Sequence, residues 1–415
     1  MILDIFYNVV EIIFLAIIVS YYFLLFKKKN IETGNDKFNK ITILIPARNE
    51  EKYVAETIDS ALNAKFNGKK EIILIDDAST DKTYCIAKKF PIKVIRNSKH
   101  EGKAYSLNLG LTKAHGGLIA VIDADSVIQK DAIIQAEKYL DSEKVAGVTS
   151  IIKVKNSTSF IGMWLNIEQL YNSLIRNFMS KIDANISTPG PLSIYKKKEL
   201  LAVGGFETKM YLEDIDIAVK LIRSGKKIAV SENSIAETNM PHSLKGFIKQ
   251  RTRFARGWIH ILKRHFQLNN SIIDIYTLPM ALFWYIQAIV MSIFISFQII
   301  SGYYIYFFLK NIVFSWEVVR YFFEWLSIVG VIKWTYNILI GSIHLNFFTF
   351  IALMATLLSY PLYLIAIFKY DKINIYHLFP LFFMFPYWFI IMIIYIFNIP
   401  EWFVKDRINR WEKIN

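Results

Sequence analysis

The chain has 415 residues, 54% of them hydrophobic and 15% aromatic, and 49 Lys+Arg against 35 Asp+Glu give a net charge of +14. Cys85 is the one cysteine, which excludes an intramolecular disulfide and suits a catalytic domain in a reducing compartment; HExxH, GxSxG, GxGxxG and P-loop patterns are absent. No nucleic-acid motif accompanies the positive charge, which the basic flanks of membrane segments explain more simply, so nucleic acid is not an expected partner.

Residues from about Ile5 to Phe26 form an apolar segment long enough to span a bilayer, and Lys27-Lys28-Lys29 follow it. A cleaved signal peptide would carry its charge before the apolar run. Charge after the run predicts an outside N-terminus and an inside continuation. Residues from about Lys40 to Ser231 then alternate strand and helix patterns. Ile41–Pro46, Glu71–Ile75, Ile92–Arg96 and Leu118–Ile122 read as strands, and Glu50–Ala64 and Lys103–His115 as helices. This order predicts an α/β domain with an open, mostly parallel sheet covered by helices on both faces. Ligands of such sheets bind at the carboxyl ends of the strands, where this chain repeats Asp76, Asp77, Asp123 and Asp125.

Leu244–Phe266 reads as an amphipathic helix with aromatic and basic sides, suited to a membrane interface. Four apolar segments follow near Pro279–Phe308, Tyr321–Gly341, Phe347–Phe368 and Leu378–Asn398, before a tail carrying Lys405, Arg407, Arg410 and Lys413. Five spans in all would return that tail to the cytoplasm. Tyr321–Gly341 contains Glu324 and Lys333, which also permits a re-entrant or interfacial segment. The expected division is an N-terminal transmembrane helix over 1–29, a catalytic domain over 30–243, an interface helix over 244–270, about four membrane helices over 271–400 and a basic tail over 401–415.

Asp123-Ala124-Asp125 is the central chemical feature. Two carboxylates at a strand end can hold a hard divalent ion together with a phosphate, and such an ion offsets charge on a departing diphosphate. The competing reading is a pair of solvated loop aspartates capping the next helix. Glu213-Asp214 precedes a helix pattern over Ile215–Arg223. There the helix dipole is expected to keep the pKa of Asp214 low and the group ionised, as a general base requires. Gln250, Arg253 and Gly257 share one helical face at i, i+3 and i+7.

Read together, Ile45-Pro46-Ala47-Arg48-Asn49-Glu50-Glu51, Ile75-Asp76-Asp77-Ala78-Ser79-Thr80-Asp81, Gly102-Lys103-Ala104 and Asp123-Ala124-Asp125 resemble the donor-binding half of the family 2 glycosyltransferases. Gly190-Pro191, Val203-Gly204-Gly205-Phe206, Glu213-Asp214 and Gln250-Arg251-Thr252-Arg253 extend the resemblance. The flanking spans are similar to those of the membrane-bound processive branch, which makes hyaluronan, poly-N-acetylglucosamine and cellulose. The resemblance implies a Rossmann-like GT-A domain, cytoplasmic and inserted between transmembrane helices of a multi-pass cell-membrane protein. It implies a UDP-sugar donor, Mg2+ or Mn2+, and inverting transfer. Ala47 and Glu50 would line the nucleoside pocket, and Asp76 or Asp77 would bond the uracil edge. Lys103 would meet the phosphates, Asp123 the ribose–diphosphate side, and Asp125 the metal. Asp214, beside Glu213, would be the base; Gln250 and Arg253 would belong to the catalytic motif, with Arg253 paired to the leaving diphosphate, and the aromatic at 254 would stack on an acceptor sugar. Leu212 stands where the family has threonine, and Phe254 where its processive motif has tryptophan.

The expected partners are the UDP-sugar, a saccharide or lipid-linked acceptor and the lipid bilayer, with an accessory subunit left open. Elongation of a β-linked polysaccharide with translocation is the leading expectation. Single-step transfer to a polyprenyl-phosphate or ceramide type of lipid is the alternative, and a non-enzymatic channel or transporter subunit is the third reading. The complete donor constellation argues against the third.

Overall fold

The computed structural model describes residues 2–28 and 37–404. Lys29 and the basic residues of the tail from Lys405 onward, both part of the sequence reading, lie outside the described residues. The elements in chain order begin with α1 (Ile2–Phe26), β1 (Lys40–Ala47), α2 (Val54–Asn63), β2 (Lys69–Asp76), α3 (Thr83–Ala87), β3 (Lys93–Arg96), α4 (Lys103–Lys113) and β4 (Leu118–Val121). There follow β5 (Ser126–Ile128), α5 (Ala132–Glu137), β6 (Val145–Val154), α6 (Phe160–Ser180), β7 (Ser193–Lys196), α7 (Lys197–Ala202), α8 (Glu213–Arg223), β8 (Lys227–Thr238) and α9 (Leu244–His265). The remainder is helical: α10 (Leu278–Tyr306), α11 (Trp316–Leu326), α12 (Ile328–Leu339), α13 (Phe347–Tyr370), α14 (Ile375–Phe382) and α15 (Met384–Phe397). The chain divides into two compact units, one of residues 27–279 with the tail and one of residues 1–26 with 280–402.

The first unit is built on an eight-stranded sheet of order β3-β2-β1-β4-β7-β6-β8-β5. Strands β3, β2, β1 and β4 are parallel. Beyond β4 the sheet becomes mixed, because β7 runs antiparallel to both β4 and β6, and β5 runs antiparallel to β8. The parallel half reads as continuous apolar runs because both its faces are covered. Ile41, Ile43 and Ile45 pack with Val54, Ile58 and Ala61 of α2 on one face. Leu44, Ile73 and Ile75 pack with Leu107 and Leu111 of α4 and Ile217 of α8 on the other. Burying each such side chain stabilises the fold by about 1.5–3 kcal/mol.

Helix α9 departs from the sequence reading in part. Ile261, Phe254 and Trp258 pack in a cluster with Met210, Leu212, Ile215 and Val219 of the same unit. That much of the apolar face assigned to a membrane interface therefore covers the first unit itself, while Leu244 and Ile248 stay exposed.

In the second unit, four described helical stretches are long and apolar enough to cross a membrane: Phe6–Phe26, Ile273–Lys310, Phe347–Tyr370 and Met384–Phe403. The segment expected over Tyr321–Gly341 is two helices, α11 of 11 residues and α12 of 12 residues. Ser327 between them is extended, with φ −128° and ψ 166°. Neither helix alone reaches the roughly 20 residues that a span needs. Helices α1 and α10 are antiparallel, with Tyr7 stacked on Phe294 at 4.3 Å, Phe14 against Trp284 at 5.7 Å and Tyr21 Oη 3.2 Å from Met280 Sδ.

Candidate active site

The loops after β1 and β2 are stitched together. Asn49, with φ 54°, donates its N–H to Ser79 Oγ at 3.0 Å and accepts the Thr80 N–H on Oδ1 at 2.8 Å. Glu51 N–H donates to Asp81 Oδ2 at 3.1 Å, and Asp81 Oδ1 accepts the Thr83 N–H at 2.9 Å. Asp81 is thus a loop and helix-start residue, as helix capping would have it. Ala47 and Glu50 are both buried beside this seam, where Asp77 N–H donates to Ala47 O and Glu50 N–H donates to Thr83 Oγ1.

The two neighbouring aspartates differ in what they offer. Asp77 accepts from Asn97 Nδ2 at 2.8 Å, Glu101 N–H at 2.9 Å and Gly102 N–H at 2.9 Å, and His100 Nδ1 lies 2.7 Å from it. Burial opposes its charge, but these donors together hold its pKa below the usual value. Asp77 is therefore occupied in shaping the 97–102 loop, whose Gly102 (φ 99°) opens α4 at Lys103. Asp76 is equally buried, with Arg96 Nε 3.1 Å from its Oδ2, yet its Oδ1 is buried without a hydrogen-bond partner. Burial raises its pKa against the pull of Ser79 and Arg96. Of the two, only Asp76 has a carboxylate oxygen left without a hydrogen-bond partner.

Lys103 brings the remaining acidic groups together. Its Nζ lies 2.7 Å from Asp123 Oδ1 and 3.0 Å from Glu213 Oε1. Burial would lower its pKa, but Asp123, Glu213 and Asp214 raise it, so the ammonium is retained. Strand β7 pairs antiparallel with β4 and delivers Gly190 against Asp123, whose N–H donates to Gly190 O at 3.0 Å. A Cβ on Gly190 would stand 2.1 Å from Asp123 Oδ2, so a bare backbone is required there. Asp125 accepts from Ser126 Oγ at 3.1 Å, and its carbonyl accepts from Asn239 Nδ2 at 3.0 Å. Burial first, and then the charge of Asp123, push the Asp125 pKa up to about 6.

Asp214 sits in the first turn of α8, with its own Oδ1 accepting the Ile215 N–H at 2.9 Å and its carbonyl accepting from Thr188 Oγ1. The expectation of a low pKa does not hold. Burial and the adjacent Glu213 push it up to about 7, with Lys103 working the other way, and these outweigh the dipole of a single helix end.

On α9, Gln250 and Arg251 are buried and Arg253 and Phe254 half-buried. Gln250 Oε1 and Arg253 Nε are buried without hydrogen-bond partners. Arg251 lies on the helix read as having a basic side suited to a membrane interface, but it makes a two-pronged pair with buried Glu168 of α6, with Arg251 Nη1 2.7 Å from Glu168 Oε1. Its guanidinium lies 5.3 Å from the Phe247 ring and 5.4 Å from the Phe254 ring. Thr188, His100 and Glu168 were missed by the sequence reading, and nothing local in the sequence marks them.

Among the described residues no three His, Cys, Asp or Glu side chains converge to hold a metal ion by themselves. Asp123 and Asp125 nevertheless suit a hard divalent cation as two of its ligands. They are oxygen donors whose mutual repulsion, visible in the raised Asp125 pKa, a cation would relieve. Diphosphate oxygens would complete such a shell.

Glycosyl transferase family 2 matches over residues 42–198. The poly-β-1,6-N-acetyl-D-glucosamine synthase of Staphylococcus aureus is 29% identical over 248 residues, 58% of this chain and 59% of that protein. The Staphylococcus epidermidis synthase of the same name is 28% identical over 264 residues, 60% of this chain and 63% of that protein. The match thus spans about three fifths of the length of these curated relatives. A mannosyltransferase from Pyrobaculum calidifontis, solved with GDP-Man and Mn2+, shares the fold with a TM-score of 0.58 at 18% identity, over 86% of this chain and 96% of that one. Residues 42–198, which carry Asp76, Lys103 and the Asp123–Asp125 pair, form a glycosyl transferase family 2 domain.

Proposed function

We propose that the protein transfers a sugar, with inversion, from a UDP-sugar to the growing end of a β-linked polysaccharide and passes the polymer through its membrane helices. The observation that carries this reading is the acidic cluster of Asp123, Glu213 and Asp214 gathered on Lys103 at the strand ends of a family 2 domain. The N-acetylglucosamine polymer named for the staphylococcal relatives supports the acceptor class.

Asp76 Oδ1 accepts the imide N–H of the base, and Ala47 and Glu50 close the nucleoside pocket. Asp123 and Asp125 would hold Mg2+ or Mn2+ with the diphosphate, and the bound ion supplies Lewis-acid relief of the charge that builds on the leaving group. Lys103 stays protonated beside that diphosphate. Asp214 takes the proton from the acceptor hydroxyl as its oxygen bonds to the anomeric carbon. The bond from that carbon to the diphosphate breaks, and its electron pair leaves with UDP. Arg253 offers positive charge to the departing diphosphate, and Gln250 lines the acceptor side with Phe254 as a stacking surface.

The test is the purified protein in lipid vesicles with a panel of labelled UDP-sugars and Mn2+ or Mg2+, with products sized by gel filtration. A long polymer from one sugar, abolished by EDTA, is the expected result; no transfer from any donor would overturn the reading. Phe254 in place of tryptophan favours one alternative, single-sugar transfer to a lipid acceptor, because phenylalanine presents a smaller stacking face and no N–H donor. A product carrying one sugar would establish that alternative.

A further inference from the structure

Gly257 stands on α9, two turns beyond Gln250, and faces Leu212. A Cβ on Gly257 would lie 2.4 Å from Leu212 Cγ and 2.8 Å from its Cδ1. Carbon atoms pack at about 3.5–4.0 Å, so only a bare backbone lets Leu212 seat there. Leu212 is the residue at which extended chain turns into α8, with φ −123° and ψ 74°. It is buried, and its side chain offers no oxygen to cap the helix, so packing alone holds it. Two residues later comes Asp214, whose carbonyl is fastened by Thr188 Oγ1. The segment 212–214 is therefore clamped twice: through its backbone from the β7 side and through Leu212 from α9. The cluster that receives Leu212 also receives Phe254 and Trp258, so the same helix that presents the acceptor-side residues presses on the base-bearing turn.

We propose that Leu212 seated on Gly257 is the positioning contact that registers the Asp214 carboxylate against α9. The proposal rests on the reading of Asp214 as the general base. Neither Leu212 nor Gly257 touches substrate; both act through the backbone of the α8 start. The arrangement replaces a hydroxyl with a packing contact at the residue where the family resemblance calls for threonine.

The experiment measures kcat and donor KM for wild type, Gly257→Ala, Leu212→Ala and the double variant, with UDP release as readout. Gly257→Ala drives a methyl into Leu212 and is expected to lower kcat roughly 10- to 100-fold, the scale of a displacement of about 1 Å in a reacting geometry. Donor KM should stay within about twofold, because ground-state donor binding is untouched. Leu212→Ala removes the seat without a clash and should lower kcat severalfold with donor KM kept, which reads the contact even where Gly257→Ala fails to fold. The double variant, with room restored, should run faster than Gly257→Ala. Gly257→Ala at wild-type kcat would overturn the proposal. So would a double variant no faster than Gly257→Ala whose donor KM has risen in step, since that is general loss of structure. Wild type that releases no UDP from any donor would instead sink the glycosyltransferase reading beneath it.

Discussion

Asp214 illustrates how a single residue's environment sets its chemistry. Sequence placed it at a helix start and so pointed to a low pKa; burial, which comes from the fold, and the charge of adjacent Glu213 reverse this. With the pKa pushed up to about 7, transfer should rise with pH through that value and level off above it, because the base works only ionised. The sign for stability is opposite to that of an ion-paired aspartate. A folded pKa above the unfolded one means that the native state binds the extra proton, so stability falls as pH rises from about 4 to about 7. Asp214→Asn should therefore lower kcat by about 10²–10⁴-fold. At pH 8 it should stabilise the protein by on the order of 1–3 kcal/mol, since Lys103 keeps Asp123 and Glu213 as partners. Denaturant midpoints at pH 5 and pH 8 check this; a variant less stable than wild type at pH 8 would show that Asp214 is held by attraction. Asp76 and Asp77 carry a related lesson. They are adjacent and chemically identical in sequence, and only the donors that converge on Asp77 from residues 97–102 separate a loop organiser from an open acceptor.

Helices and strands were legible where the local pattern and the fold agree. The four parallel strands and α2, α4, α8 and α9 fall where periodicity and turn residues put them, because each has an apolar run or stripe that must be covered. The mixed half of the sheet was not legible as such. Strand β5 has three residues, too short for a period to declare itself, and the antiparallel pairing of β7 and β5 is a choice made by tertiary contacts that no local pattern encodes. Arg251 was misread for the same reason. Its partner Glu168 is 83 residues away on α6, and a basic helix face gives no sign that one of its cations turns inward. Both side chains are buried, so breaking the pair is costly while replacing it need not be. Glu168→Gln should destabilise the domain by on the order of 3–5 kcal/mol, whereas Glu168→Leu with Arg251→Met should come within about 1–2 kcal/mol of wild type. Urea midpoints of the three proteins decide it. Equal losses in both variants would mean that the pair is a net source of stability.

At the scale of the whole molecule, contacts inside the helical unit lead to a testable expectation for the number of crossings, once that unit is read as membrane-embedded. Tyr21 against Met280 puts the end of α1 beside the start of α10. Tyr285 donates to the Tyr395 carbonyl at 3.1 Å and meets the Trp402 ring at 5.6 Å, so the chain after α15 ends beside the start of α10 as well. A chain that leaves from one side and ends on the same side crosses an even number of times. Helices α10, α13 and α15 would account for three crossings, so an even count needs a fourth, which α11 and α12 together, broken at Ser327, are expected to supply. Their 23 helical residues, at 1.5 Å each, amount to about 35 Å of helix, to be set against the roughly 30 Å hydrocarbon layer, with extended Ser327 turning the chain between the two. Glu324 takes Lys333 at 2.7 Å and Arg320 at 2.9 Å across and along this pair, which neutralises its charges. The lone exposed thiol offers a direct test. If the unit that carries exposed Cys85 is cytoplasmic, Cys85 should react with a membrane-impermeant maleimide only when the cytoplasmic face is open. In a Cys85→Ala background, Leu345→Cys and Phe403→Cys, both at exposed positions, should label from the cytoplasmic face, and Asn311→Cys from the opposite face. Labelling of Leu345→Cys from the face that labels Asn311→Cys would show that α11 and α12 enter and leave on one side. The C-terminal half would then supply three crossings instead of four, and the four-crossing reading would fall.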